Sequence, residues 1–198
     1  MILFIDTETN NLPNKYADNN IEKWPRIVQI AWSVYDDNER FKSSQNFIVY
    51  PLDFVISDET AKVHGITNDI AKEKGVLLNK VLLRLNDDMP KIDTIIAHNL
   101  DFDIPVIKTE YERCRIKNNI SEKQTFCTMK SNNIINYCAI PSMYCDGYKW
   151  PSLSELHIKL FGVDFTGGHD ASDDIEACAK CYFELKSLGI IGDVNNEW

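Results

Sequence analysis

The chain has 198 residues, 44% of them hydrophobic and 26% charged, with a formal net charge of −9. That size suits one domain with a substantial core. The acidity argues against tight, nonspecific binding to duplex nucleic acid, which usually needs a basic patch. No apolar run approaches the roughly 20 residues of a membrane span, and the opening residues lack the basic stretch of a signal peptide. The expectation is one domain over residues 1–198, soluble and cytoplasmic, with no membrane partner. The six cysteines are irregularly spaced, and reduced thiols are expected. Cys178 and Cys181 form a C-x-x-C on one face of a helical stretch, and with no second ligand pair they are expected to be core thiols.

In chain order, "MILFID" reads as a strand. "RIVQIAWSVYD" (Arg26 to Asp36) and "QNFIVYP" (Gln45 to Pro51) follow, divided by the turn-prone "DDNER". Short connections suggest an antiparallel meander. From Asn68 to Leu85 apolar residues fall at helical spacing: Ile70, Val76, Leu77, Val81, Leu82 and Leu85. "TIIAHN" (Thr94 to Asn99) has the continuous apolar character of a central strand. "DFDIPVIKTEYERC" (Asp101 to Cys114) reads as a helix with acids in its first turn. "TFCTM" is a short strand candidate, and the segment reaching Cys138 is a helix candidate. "SLSELHIKLFG" has a capping-box start and a glycine stop. "DASDDIEACAKCYFELKSLG" is the last strong helix, and the final "DVNNEW" is expected to fray. Strands first, then strands alternating with helices, imply an α/β fold whose mixed sheet carries helices on both faces.

Carboxylates stand at the ends of three apolar elements. Asp6 and Glu8 follow the first strand in "FIDTETN", and at i and i+2 they share a face. Asp101 and Asp103 follow the fourth strand. Asp173 and Asp174 open the last helix behind "GGHDA". Like charges gathered this way resist joint ionisation unless cations offset them. Oxygen-only ligands suit magnesium or manganese, and a pair of such ions can support phosphodiester hydrolysis. A histidine is the natural general base near neutral pH, and His169 lies five residues before Asp174.

"DTE", "HNLDFD" and "H-D-A-S-D-D", in that order, resemble the three motifs of the DnaQ-like (DEDDh) 3′–5′ exonucleases of the ribonuclease H-like superfamily. That family includes proofreading domains, ribonuclease T and oligoribonucleases. "HGIT" (His64 to Thr67), "FCTM" and "SLSEL…FG" extend the resemblance over nearly the whole chain. It implies a three-layer ribonuclease H-like fold and selects Asp103 over Asp101 and Asp174 over Asp173. Asp170 stands where the tyrosine branch would have Tyr, so the histidine branch is implied. The implied roles are these: Asp6, Glu8, Asp103 and Asp174 hold two divalent ions, Mg²⁺ or Mn²⁺, with Asp6 bridging both, and His169 takes a proton from the attacking water. Ala171 would leave room for the helix to approach the metals. Leu12, His64, Asn99, Phe102, Thr7 and Thr9 are the implied substrate contacts. The chain departs from the family pattern at Asn10 and Asn11, where the turn is expected to survive because Asn tolerates left-handed backbone.

The implied activity is release of nucleoside monophosphates from 3′ ends of single-stranded DNA, with RNA as the alternative. The implied partners are such an end and a DNA polymerase or other replication or repair protein. Two rival readings are a catalytically inactive binding or scaffolding module and a haloacid-dehalogenase-type phosphatase. Against the latter, Glu8 replaces an Asp of its D-x-D-x-T motif, and Asp173 and Asp174 begin a helix rather than follow a strand. His98 is expected to be structural, and His157 to lie at the surface. Tyr148 and Trp150 are expected in loop or core packing, and the remaining acids on a solvated surface.

Overall fold

The computed structural model describes residues 1–12, 20–144 and 146–192. The frayed end expected at "DVNNEW" and Cys145 lie outside the described residues. Five strands form one sheet: β1 (Ile2–Thr9), β2 (Ile27–Tyr35), β3 (Phe41–Ile48), β4 (Thr94–Ala97) and β5 (Gln124–Cys127). Their order is β3-β2-β1-β4-β5. β1, β2 and β3 pair antiparallel, whereas β4 runs parallel to β1, and β5 to β4. This is the expected meander followed by parallel strands.

Among the described residues seven α-helices flank the sheet: α1 (Asp58–His64), α2 (Asn68–Lys74), α3 (Leu78–Asp88), α4 (Leu100–Cys114), α5 (Asn132–Cys138), α6 (Leu153–Phe161) and α7 (Ala171–Ser187). Residue parity along β1 assigns them to layers. Leu3 and Ile5 face one core with Trp32, α3 and α4. Phe4 faces the other with Ala31, α5, α6 and α7. Both faces of β1 are therefore buried, which is why it reads as an unbroken apolar run. The C-x-x-C thiols lie in the second core, Cys178 at 3% and Cys181 at 0% exposure, and the five described cysteines are free. No helix among the described residues is long and apolar enough to cross a membrane.

The capping box of α6 is present, with Ser152 and Glu155 bonding reciprocally and Gly162 in left-handed backbone at the end. The helical-period run from Asn68 to Leu85 divides into α2 and α3. The break is at Gly75, where the chain straightens so that Val76 pairs beside Val49. A β-carbon on Gly75 would lie 2.2 Å from the Ala71 carbonyl oxygen and 2.6 Å from the Tyr50 nitrogen, so only glycine fits. α1 went unread, although Ser57 caps it and Gly65 ends it in left-handed backbone.

Two expectations about burial are corrected, for His157 and for the acids. His157 is 8% exposed, not a surface residue. It packs on Phe161 and Phe165 with Nδ1 2.8 Å from the Val163 carbonyl. Tyr148 and Trp150 lie in the loop before α6, the first of the two placements expected for them, and are half exposed; the Lys130 ammonium sits 4.6 Å from the Trp150 ring centre. The acidic surplus is not all solvated. Glu110 is fully buried and accepts from Arg26 and from the Ile27 amide, while Asp88 accepts from Trp32 Nε1.

Candidate active site

The parity that divides the cores also builds the site. Asp6 and Glu8 continue the Phe4 face of β1, toward α7. Asp174, in the first turn of α7, meets them: one carboxylate oxygen from each of the three lies within 4.8 Å of the others. Thr7 points to the opposite face, toward α4. There its amide and its hydroxyl both donate to Asp103 Oδ1, at 3.0 and 2.7 Å. Thr7 thus ties a 2%-exposed carboxylate of α4 to the strand that carries Asp6 and Glu8. β1 and β4 are parallel neighbours, so their C-terminal ends share one sheet edge, where α/β folds place their sites.

The two acids left ambiguous by spacing take different positions. Asp101 is exposed and pairs with Lys130 at 2.6 Å, outside the cluster. Asp173 packs against Gly167, whose φ is +91° and whose absent β-carbon would lie 1.8 Å from the Asp173 carboxylate.

The electrostatics are those of like charges confined together. Burial raises Asp6 well above the usual carboxylate range, and Asp103, Asp174, Glu8 and Asp170 raise it further. Burial and the same acids push Glu8 to about 8. Burial lifts Asp103 to about 7 against the opposing Thr7 hydrogen bonds, and lifts Asp174 to about 6 against the His169 amide. The neighbours acting on Asp6 and Glu8 are acids, not lysines or arginines. A bound divalent cation would remove both costs at once, and an oxygen-only donor set suits a hard cation. The residues present therefore fit a metal.

His169 stands at the edge of this cluster, exposed, with a left-handed φ of +73°. Its amide donates to Asp174 Oδ2 at 3.1 Å, and its charge acts on both Asp174 and His64. A non-glycine residue at positive φ is held there by its surroundings. His64 is 8% exposed; its Nδ1 accepts from the Ile66 amide, which puts the proton on the buried Nε2, on the side of the Thr9 backbone. Leu12 is 78% exposed. Asn99 caps α4 in left-handed backbone, and Phe102 packs partly against the first core. Thr9 is buried and its hydroxyl donates to the Asn11 carbonyl at 2.6 Å. His98 bonds Thr128 and the Pro151 carbonyl, and burial lowers its pKa to about 4, so its role is structural.

The turn after β1 survives for a different reason from the one expected. Neither Asn10 nor Asn11 adopts left-handed backbone. Instead the Asn10 side chain accepts from the Arg26 amide at 2.8 Å and donates to the Val55 carbonyl at 3.1 Å. Gln29 was also passed over, one carboxamide within an apolar strand, although it bonds to the start of α7. A lone polar residue in an otherwise buried run was the available signal.

A mixed sheet with helices on both faces and carboxylates gathered at the ends of its central strands is the architecture of ribonuclease H-like, DnaQ-type domains. The chain belongs to the exonuclease family: the RNase T-type family model described as Exonuclease matches residues 3–182. Among solved structures it resembles E. coli exonuclease I in complex with a dT13 oligonucleotide, at 17% identity and TM-score 0.74, over 94% of this chain and 41% of that one. The zinc-bound form of the E. coli exonuclease I complex with single-stranded DNA aligns at 19% identity and TM-score 0.71, over 94% and 40%. The exonuclease I complex with SSB-Ct aligns at 18% identity and TM-score 0.72, over 94% and 41%. The chain thus spans about two fifths of the length of the exonuclease I chains it matches. No curated protein matches its sequence.

Proposed function

We propose that this chain is a single metal-dependent 3′–5′ exonuclease domain that releases nucleoside monophosphates from single-stranded DNA. The convergence of Asp6, Glu8 and Asp174, with Asp103 hung beside them on Thr7, carries the reading. Family membership supports the reaction class. The exonuclease I structures, one with dT13 and one with zinc, support the polymer and the use of a divalent ion.

In this reading Asp6, Glu8, Asp103 and Asp174 hold two divalent cations, Mg²⁺ or Mn²⁺. When bound, these supply the positive charge that offsets the phosphodiester and the Lewis acidity that hydrolysis requires. The chain's own groups do the rest. His169, exposed beside Asp174, takes a proton from the attacking water on its imidazole. Thr7 holds Asp103 toward the strand through two hydrogen bonds to one oxygen, which leaves the other carboxylate oxygen for a ligand. Leu12, Asn99 and Phe102 offer apolar and polar contact to the terminal nucleotide, with His64 packed behind them beside Thr9. Net acidity fits an enzyme that grips a few nucleotides rather than a long duplex. The SSB-Ct complex of exonuclease I supports a replication or repair protein as the partner class and lends nothing to a polymerase. Free thiols, with Cys138, Cys178 and Cys181 buried, fit a cytoplasmic location.

The test uses matched 5′-labelled single-stranded DNA and RNA with Mg²⁺ or Mn²⁺, beside EDTA and Asp174→Asn controls. The expected result is progressive 3′ shortening of DNA that both controls abolish. Faster shortening of RNA would reassign the polymer. Binding without cleavage of either would overturn the enzyme in favour of a scaffolding module.

A further inference from the structure

Gln29 lies near the start of β2, between the fully buried Val28 and Ile30, and is itself 2% exposed. A carboxamide placed there is costly unless its polar atoms are satisfied. They are. Oε1 accepts from the Ala171 amide at 3.3 Å. Nε2 donates to Asp170 Oδ1 at 3.2 Å and to Asn46 Oδ1 at 3.0 Å. The orientation of the amide follows from these partners: reversing it would set its NH₂ against the Ala171 N–H and its oxygen against two acceptors.

The three contacts have consequences for the acids. In the β1–β2 register Gln29 is the direct partner of Glu8. Paired residues on antiparallel strands project to the same face, so Gln29 stands beside Glu8 on the side of α7. Asp170 caps α7 and Ala171 is its first residue. Asp174 follows one turn later on the same rigid helix. One buried side chain therefore links the strand position opposite Glu8 to the helix end that delivers Asp174, and Asn46 of β3 braces it from the far side. Gln29 is also neutral. A carboxylate of the same shape would lose both donors and add another charge to a cluster whose members already raise one another.

We propose that Gln29 is a positioning residue that sets the separation of Asp174 from Asp6 and Glu8, and with it the affinity of the site for a divalent cation. The inference rests on reading these acids as a metal site. It assigns Gln29 no contact with substrate.

The experiment is titration of the whole protein with Mn²⁺ alone, followed by calorimetry and by the loss of the free-ion paramagnetic signal, without nucleic acid. Gln29→Met keeps length and volume and removes every hydrogen bond. It should weaken Mn²⁺ binding by about 10–100-fold, the usual range for residues that orient metal ligands. Gln29→Glu should weaken it at least as much. Asn46→Ala removes only the brace, from an exposed residue of β3, and should cost about fivefold, the worth of one hydrogen bond. Folding of each variant is checked by circular dichroism. Wild-type affinity in folded Gln29→Met overturns the inference while leaving the metal site standing. Should Gln29→Met not fold, wild-type affinity in Asn46→Ala overturns it. Absence of Mn²⁺ binding in the wild-type protein overturns both the inference and the metal reading beneath it.

Discussion

Glu8→Gln tests the electrostatics of the site without any nucleic acid. Burial and the neighbouring acids raise Glu8 to about 8, from an ordinary value near 4.5. The folded state therefore holds the Glu8 proton more tightly than the unfolded chain. The stabilisation is complete below about pH 4.5 and is lost as pH rises through about 8. Between about pH 7 and about pH 9, a group with this pKa costs the fold about 1.4 kcal/mol, one tenfold unit of proton binding. Partial exposure of the side chain reduces this to about 1 kcal/mol. That window also lies above the range in which buried His98 and His64 oppose the trend: both have lowered values, so their effect on stability is confined to lower pH. The amino terminus and the buried thiols have raised values in the folded protein, so they also make stability depend on pH near this window, and the difference between wild type and Glu8→Gln is the quantity to read. In EDTA the wild-type melting temperature should fall by about 2–4 °C more than that of Glu8→Gln over this range. Adding Mg²⁺ should reverse the order, because the ion stabilises only the chain that binds it. Equal slopes in EDTA, or a wild-type slope shallower than that of the variant, would refute the claim that uncompensated acids face one another here.

Three further outcomes are expected. Thr7→Val removes the hydroxyl that holds Asp103 and should weaken Mn²⁺ binding about tenfold, whereas Thr7→Ser should restore it; calorimetric titration reads both. His169→Ala should slow single-turnover cleavage by about 10²–10⁴-fold, the share of a general base, and leave Mn²⁺ affinity within about twofold; an unchanged rate removes His169 from that role. Gly75→Ala forces a β-carbon onto the Ala71 carbonyl and the Tyr50 amide and should destabilise the protein by about 1–3 kcal/mol in urea, without changing the site.

The sequence made the strands and the acids legible because both obey local rules. β1 is a run of apolar residues that ends in acids, and two residues of spacing suffice to set Asp6 and Glu8 on one face. The boundary at Gly75 was hidden, because what forbids a side chain there is backbone crowding, from the Ala71 carbonyl of its own helix and from Tyr50, a residue distant in sequence that the fold brings alongside. Gln29 was hidden for a related reason: its partners Asp170 and Ala171 lie more than a hundred residues away, and no periodicity encodes a contact at that distance. His157 sits on an amphipathic helix whose outer face would have exposed it. It is buried instead because the chain folds Val163 and Phe165 back over it.

Buried acids show most clearly what a sequence leaves undecided. Glu110 and Asp103 sit seven residues apart on the same helix, both nearly inaccessible. Glu110 has the Arg26 guanidinium, the nearby Arg113 and the Ile27 amide all at Oε1, so the fold supplies it a counter-charge even though its buried Oε2 has no hydrogen-bond partner. Asp103 has only the neutral donors of Thr7, and Asp6 and Glu8 are surrounded by other acids. Charge does not separate these groups, and Asp103 is nearly as buried as Glu110. What separates them is whether the chain supplies a counter-charge. Where it does, as at Glu110, the acid braces the fold by holding the start of β2. Where it does not, as at Asp6 and Glu8, the fold retains an unpaid electrostatic cost of several like charges, and a cation from solution is the simplest partner that removes it.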